Sequence, residues 1–179
     1  RWNGQPAPTI IDDRLKVVEP QTAYQVVSML EGVVERGTGR KIKAVKKPLA
    51  GKTGTTNSSV DTWFMGFSPD LAVGVYGGFD KPRSLGRREQ GASVAAPIFR
   101  DFMIEALEGQ PAIPFRIPPG IRLVRVDAST GVLARADDRN TILEAFRPGT
   151  EPTKVGEVLD GSQATTPGTR ARSGTGGLY

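Results

Sequence analysis

Between Leu49 and Gly77, three short β-prone runs follow one another with only a few residues between them. Leu49 to Thr55, Thr62 to Phe67 and Leu71 to Gly77 read as strands; Thr56 to Asp61 and Ser68-Pro69-Asp70 read as the turns joining them. Parallel neighbours need a crossover of about a dozen residues or more, so connections this short dictate an antiparallel meander. In the second run Trp63, Met65 and Phe67 alternate with Phe64 and Gly66, which sends the two sets to opposite faces.

Helices flank the meander. Ala23, Val26, Val27, Leu30, Val33 and Val34 follow the spacing of one apolar helical stripe. Thr22 and Gln25 have capping-box spacing at its start. Gly37-Thr38-Gly39 ends it, with glycine expected in the left-handed cap conformation. A second helix is expected from roughly Ser93 to Glu108, with Pro97 in its first turn. Its buried face is assigned to Ala95, Ile98, Phe99, Phe102, Met103 and Ala106. Arg40 to Pro48 reads as a basic linker, 79–92 as a polar loop and Leu15 to Val18 as a short strand. The fold class expected is α+β, an antiparallel sheet flanked by helices.

After Gly109 the character changes. Pro111, Pro114, Pro118 and Pro119 mark a linker. Ile121 to Asp127 reads as a strand, Ala128 to Gly131 as a turn and Val132-Leu133 as a return, giving a small β-rich C-terminal extension over 111–155. Residues 156–179 are rich in Gly, Ser and Thr, with too little apolar surface to order themselves.

Composition removes much chemistry. The 179 residues include no cysteine and no histidine. Disulfides, thiolate or imidazole metal sites, the Ser-His-Asp triad and the Cys-His dyad are excluded, so any general base is Lys, Asp, Glu or Tyr. No metal and no cofactor are expected. The formal charge of +5 is spread, apart from Arg40-Lys41, Lys43 and Lys46-Lys47, and reads as a solvated basic surface. A nucleic-acid binder built on that stretch is an alternative, but base-stacking motifs are lacking. There is no membrane segment, since no apolar run approaches the ~20 residues that span a bilayer. A start at Arg1 without a signal-peptide pattern reads as a processed chain or a fragment. Asp12-Asp13 and Asp137-Asp138 read as surface carboxylates, Arg83, Arg87 and Arg88 as a solvated loop, and Trp63 and Phe64 as core.

The stretch Leu49-Ala50-Gly51-Lys52-Thr53-Gly54-Thr55-Thr56-Asn57 carries the candidate site. Glycines on each side of Lys52-Thr53 allow close approach of a backbone or ligand. Thr53 and Thr55 share one face, and two hydroxyls near an ammonium suit a carboxylate. A free N–H on an open strand edge would suit an oxyanion. Gly51-Lys52-Thr53 also has the ending of a phosphate-binding P-loop, but that motif needs a glycine where Lys46 stands.

Asp61, Trp63-Phe64, Gly66-Phe67, Pro69-Asp70 and Val73-Gly74-Val75 follow that stretch. Thr22-Ala23-Tyr24 and Arg36-Gly37-Thr38-Gly39 lie upstream, and Gly91-Ala92-Ser93-Val94-Ala95-Ala96-Pro97-Ile98-Phe99 downstream. Together they resemble the transpeptidase domain of class A penicillin-binding proteins, most closely the penicillin-binding protein 1A group, over about residues 10–108. The resemblance implies a penicillin-binding transpeptidase or serine β-lactamase-like fold, incomplete in this chain, with 1–110 as the C-terminal portion of that domain. It implies acyl transfer through a serine, cross-linking D-Ala-D-Ala stem peptides of peptidoglycan, with acylation by β-lactams. It gives Lys52 a catalytic, electrostatic role. It makes Thr53, Gly54 and Thr55 substrate-binding, with the Thr55 N–H as half of an oxyanion hole. It implies partners in the remainder of that domain, an upstream glycosyltransferase domain, a periplasmic site and an inner-membrane anchor in the parent protein.

One part of the pattern is missing. None of Ser28, Ser58, Ser59, Ser68, Ser84, Ser93, Ser129, Ser162 or Ser173 has lysine three positions on, and no Ser-x-Asn occurs. The nucleophile named by the Ser-x-x-Lys motif is absent from these 179 residues. The isolated chain is therefore expected to be inactive. A sheet cut from its flanking strands and helices exposes apolar faces, so the isolated piece is also expected to be aggregation-prone or partly molten. The alternative function is a non-catalytic cell-wall or protein-binding module that keeps the groove.

Overall fold

A computed structural model describes residues 15–155. The Gly/Ser/Thr-rich 156–179 and Asp12-Asp13 lie outside them. Two compact units divide the described chain, residues 15–124 with 143–151, and residues 125–142 with 152–155.

The first unit is a mixed helix and antiparallel-sheet layer. Helix α1 spans Pro20–Glu35, and the meander consists of β1 (Ala50–Thr55), β2 (Thr62–Phe67) and β3 (Ala72–Gly77) in the order β1-β2-β3. Helix α2 spans Ala95–Ala106. Both strand pairs are antiparallel, with Thr53 opposite Phe64 and Phe64 opposite Val75. Thr62, Phe64 and Gly66 of β2 are buried, whereas Trp63 and Met65 are exposed. The core behind β2 combines Phe64 with Val34, Ile42, Val45, Leu49, Ala95, Phe99 and Met103. The Phe64 and Phe99 rings meet at 4.7 Å between centroids, tilted by 52°. Gly51 and Gly66, opposite each other, make room for them. A Cβ on Gly51 would lie 2.7 Å from the Phe64 ring, and one on Gly66 2.5 Å from it.

Several local expectations are corrected. Helix α1 starts at Pro20 behind Glu19 with no side-chain cap, because proline at the first helical position arrives with helical φ and no N–H to satisfy. Thr22–Gln25 is therefore no capping box; Gln25 donates to the Ala145 carbonyl at 2.9 Å. Neither Gly37 nor Gly39 has a positive φ. They are needed for contact instead: a Cβ on Gly37 would sit 2.9 Å from Val33 Cα, and one on Gly39 3.2 Å from Val33 O. Of the α1 stripe only Val34 is buried, and Ala23 and Val26 face solvent.

Arg40–Val45 is no linker but a 3₁₀ turn, whose three-residue repeat places Ile42 and Val45 together in the core. Leu15 to Val18 forms no strand and is exposed. On α2 the buried set is Ala95, Ala96, Phe99 and Met103. Ile98 and Phe102 lie on the neighbouring i, i+4 row and are about half exposed, and Ala106 is exposed too. A helix lying on a sheet buries one narrow row, and the sequence pattern is wider than that row.

Strand β4 (Arg122–Asp127) pairs with β5 (Thr141–Phe146) in a two-stranded sheet. The return strand is thus Thr141–Phe146; Val132-Leu133 supplies only isolated bridges, Leu133 to Val126 antiparallel and Leu133 to Val155 parallel. The turn after β4 is closed by the Asp127 carboxylate, which accepts from the Ser129 and Thr130 N–H groups at 3.0 and 2.8 Å and from the Thr130 hydroxyl at 2.9 Å. These bonds, the hydroxyl first, hold the Asp127 carboxyl below its usual range. Among the described residues no helix is long and apolar enough to cross a membrane.

Phe99→Ala is expected to destabilise the chain by about 3–5 kcal/mol, whereas Phe102→Ala costs under about 1 kcal/mol. Urea denaturation of the two variants checks this, and equal losses would contradict the assignment of the α2 faces.

Candidate active site

Strand β1 is the edge of the meander among the described residues. Residues facing each other across an antiparallel pair alternate between exchanging two hydrogen bonds and exchanging none. The Thr56 N–H donates to the Asp61 carbonyl at 3.0 Å, one step beyond the Thr55–Thr62 pair. Gly54 and Lys52 are therefore the positions that bond to β2. Gly51, Thr53 and Thr55 turn their N–H and C=O groups the other way, to the edge where no strand pairs. Lys52 agrees with this phase, because its Nζ donates to the outward Thr53 carbonyl at 2.9 Å.

Side-chain direction follows from the same register. Thr53 and Thr55 share the face of Phe64, while Lys52 and Gly54 share the opposite face with Met65 and Trp63. Phe64 is core, as the sequence suggests. Trp63 is not: it is 42% exposed and stacks on Tyr76 at 4.7 Å. Of the two glycines beside Lys52-Thr53, Gly51 is taken up by the Phe64 ring, and only Gly54 lies on the open face.

The two hydroxyls are anchored from behind. The Gly91 N–H donates to Thr55 Oγ1 at 3.0 Å. Thr38 Oγ1 lies 2.9 Å from Thr53 Oγ1. In the sequence Thr38 reads as part of a helix stop and Gly91 as the end of a loop, and both fall within motifs of the family resemblance that assign them no role. A larger residue at Gly91 would force the backbone to shift: a Cβ there would lie 2.5 Å from Trp63 O and 2.6 Å from Gly54 O. The glycine pressed on the strand is the only signal the sequence offers, and it does not name its target.

The β1–β2 turn is unusual as well. Ser58 and Ser59 have φ of 60° and 52°, a conformation that costs a non-glycine residue about 1–2 kcal/mol. The Leu85 N–H, donating to the Ser59 carbonyl at 2.8 Å, ties the 79–92 loop to this turn. In that loop Arg83 sits 3.8 Å over the Phe79 ring, and Arg87 and Arg88 are exposed. Asp138 accepts the Arg135 N–H at 2.6 Å in a local turn. Among the described residues no three Asp or Glu side chains gather as a metal site would need.

A model of the penicillin binding protein transpeptidase domain matches residues 8–104. That is more than half of the chain. The chain belongs to the penicillin-binding protein transpeptidase domain family. Penicillin-binding protein 1A of Rickettsia conorii is 44% identical over 132 residues, covering 74% of this chain and 16% of that protein. The protein of that name from Pseudomonas aeruginosa is 42% identical over 153 residues, 85% of this chain and 19% of its own length. The crystal structure of penicillin-binding protein 1A from Haemophilus influenzae superposes with a TM-score of 0.69 at 34% identity, over 79% of this chain and 22% of that one. The chain thus has the transpeptidase fold in part and spans less than a quarter of the length of these relatives.

On the open face, the Tyr76 hydroxyl donates to Asp61 at 2.8 Å. That bond, with desolvation and the charges of Asp61 and Asp80, raises the phenol above its usual range. In an ultraviolet titration Asp61→Asn is expected to lower the midpoint of one phenol, and an unchanged curve would contradict the contact. Gly91→Ala is expected to lower thermal stability by about 1–3 kcal/mol, because its contacts are backbone atoms that cannot swing aside. An unshifted melting curve would contradict the close approach.

Proposed function

We propose that this chain supplies the Lys-Thr-Gly wall of a peptidoglycan D,D-transpeptidase, a serine acyltransferase that cross-links stem peptides and is acylated by β-lactams. Family membership supports the reaction class. The observation that carries the assignment of roles is the outward phase of β1, which leaves the Thr55 N–H without a strand partner among the described residues, beside two anchored hydroxyls.

In this reading the terminal carboxylate of a D-Ala-D-Ala stem accepts hydrogen bonds from the Thr53 and Thr55 hydroxyls. The Thr55 N–H donates to the carbonyl oxygen as it gains negative charge, a stabilisation of the oxyanion-hole type. Gly54 keeps the strand open to the substrate. The Lys52 ammonium supplies fixed positive charge beside the reacting groups. The nucleophilic serine attacks the penultimate carbonyl carbon, and the amide C–N bond breaks. The departing D-alanine takes on its amine the proton that the serine hydroxyl gave up. A second stem's amine then attacks the acyl carbon, displaces the serine oxygen and returns a proton to it, which forms the cross-link. No serine of this chain has the Ser-x-x-Lys pattern, so the nucleophile comes from another part of the transpeptidase.

The substrate lies outside the cytoplasmic membrane, which places the site in the periplasm, with the parent protein anchored in the inner membrane. In that parent, residues 1–110 act as the C-terminal portion of the transpeptidase domain and 111–155 as an extension.

Fluorescent penicillin tests the assignment. The isolated 179-residue chain is expected to form no adduct that survives denaturation. The polypeptide containing this segment together with a Ser-x-x-Lys serine is expected to be labelled, and Lys52→Ala in it to slow labelling by roughly 100-fold. Labelling of the isolated chain, or an unchanged rate in Lys52→Ala, would overturn these roles. The absence of the serine motif favours one second reading, a non-catalytic module that binds D-Ala-D-Ala peptides without turnover. Calorimetric binding of such a peptide by a polypeptide that penicillin fails to label would select it.

A further inference from the structure

The two threonine hydroxyls of β1 differ from ordinary surface hydroxyls in what stands behind them. A hydroxyl carries one proton and can accept as well as donate. A carboxylate only accepts. A threonine that serves a carboxylate must therefore present its single proton to the ligand. Any acceptor placed behind it would compete for that proton, whereas a donor behind it would free the proton.

At Thr55 the group behind is a pure donor, the Gly91 N–H at 3.0 Å. It fills an acceptor site on Thr55 Oγ1 and leaves the Thr55 proton for a ligand. At Thr53 the corresponding position is held by the Thr38 hydroxyl at 2.9 Å. Thr38 itself is fixed by its neighbours. The Gly37 N–H donates to the Gly32 and Val33 carbonyls at 3.2 and 3.1 Å, and the Gly39 N–H donates to Val33 O at 3.0 Å. Thr38 thus rides on the last turn of α1, and its hydroxyl reaches β1 across a gap that both neighbouring glycines keep short.

We propose that Thr38 is a positioning residue for carboxylate recognition: its hydroxyl donates to Thr53 Oγ1 and thereby holds Thr53 as a donor, as the Gly91 N–H does for Thr55. The inference rests on the carboxylate role proposed for Thr53. The site then discriminates by ligand charge type. Two donors held in place favour a carboxylate, whose two charged oxygens both accept, over a neutral amide, whose N–H finds no acceptor there, or an ester, whose alkylated oxygen is a poor, uncharged acceptor. Thr38 touches no ligand and acts only through Thr53.

The test uses the complete polypeptide in which this segment accompanies a Ser-x-x-Lys serine. Second-order acylation rates are measured with benzylpenicillin and with its methyl ester, whose carboxylate is masked. Thr38→Val keeps the shape and removes the hydroxyl. It is expected to slow acylation by benzylpenicillin by about tenfold, the scale of one hydrogen bond to a charged group. The rate with the ester is expected to change less than twofold. Thr38→Ser is expected to rescue most of the loss, and Thr38→Val combined with Thr53→Val to be no slower than Thr53→Val alone. Thermal unfolding is recorded for every variant.

Equal losses with both ligands, failure of serine to rescue, or additive losses in the double variant would overturn the proposal and leave Thr38 a structural residue. If Thr53→Val acylates both ligands at the unaltered rate, the carboxylate role of Thr53 falls, and the role of Thr38 with it. If Thr53→Val loses selectivity while Thr38→Val does not, Thr53 keeps its role and only the role of Thr38 is overturned.

Discussion

The Phe64 ring sits between Gly51 and Gly66 on one side and Phe99 on the other, and this contact sets the parity of the whole meander. Strand side chains alternate with a period of two, so a slip of one residue would carry every side chain to the other face. With Phe64 locked inward, Trp63 and Met65 turn outward. Through the β1–β2 register, Thr53 and Thr55 then lie on the helix side, and Lys52 and Gly54 on the open side. Larger residues at Gly51 or Gly66 would push on the ring that decides this, since a Cβ on either would meet it within 2.7 Å.

The second constraint is the phase of hydrogen bonding along β1. It follows from the Thr56–Asp61 closure, not from any residue of the Lys-Thr-Gly tripeptide. Closing the turn there makes Lys52 and Gly54 the rungs of the ladder and turns the backbone of Thr53 and Thr55 outward. A ligand at that edge would meet backbone N–H groups and threonine hydroxyls from one strand. The segments around Thr38 and Gly91 are remote in sequence, yet both end on those hydroxyls. The site is therefore a strand edge backed by two loops, which positions donors more firmly than a free loop would.

Much of this is legible in the chain of letters. The three strands fall within a residue of their expected bounds, because short apolar runs between strong turn residues leave little choice. The two helices follow from 3.6-residue spacing. The expectations that fail each rest on a single local signal. The capping box at Thr22–Gln25 and the linker at Arg40–Pro48 involve residues with distant partners, whereas the glycines end the helix by close packing on Val33 instead of by a left-handed φ. Gln25 reaches Ala145, Gly37 and Gly39 fold back on α1, and Ile42 fills the core. The strand Thr141–Phe146 escapes notice because a charged loop without a strong turn signal precedes it. On α2, Ile98 and Phe102 fit the apolar periodicity equally well, and only the sheet's position chooses Phe99 and Met103.

By itself the sequence determined the two helices, the three strands of the meander and their antiparallel order, the family pattern around Lys52-Thr53-Gly54 and the absence of a Ser-x-x-Lys nucleophile among these residues. These depend on residue type and spacing along the chain, which are local properties. Only the tertiary structure decided which face each site residue takes, which N–H groups remain at the edge, and that Thr38 and Gly91 stand behind Thr53 and Thr55. Those outcomes depend on the packing of the Phe64 ring and on hydrogen bonds between residues 15 and 36 positions apart. Local spacing carries no record of such pairings, because each one is selected by the folded chain as a whole.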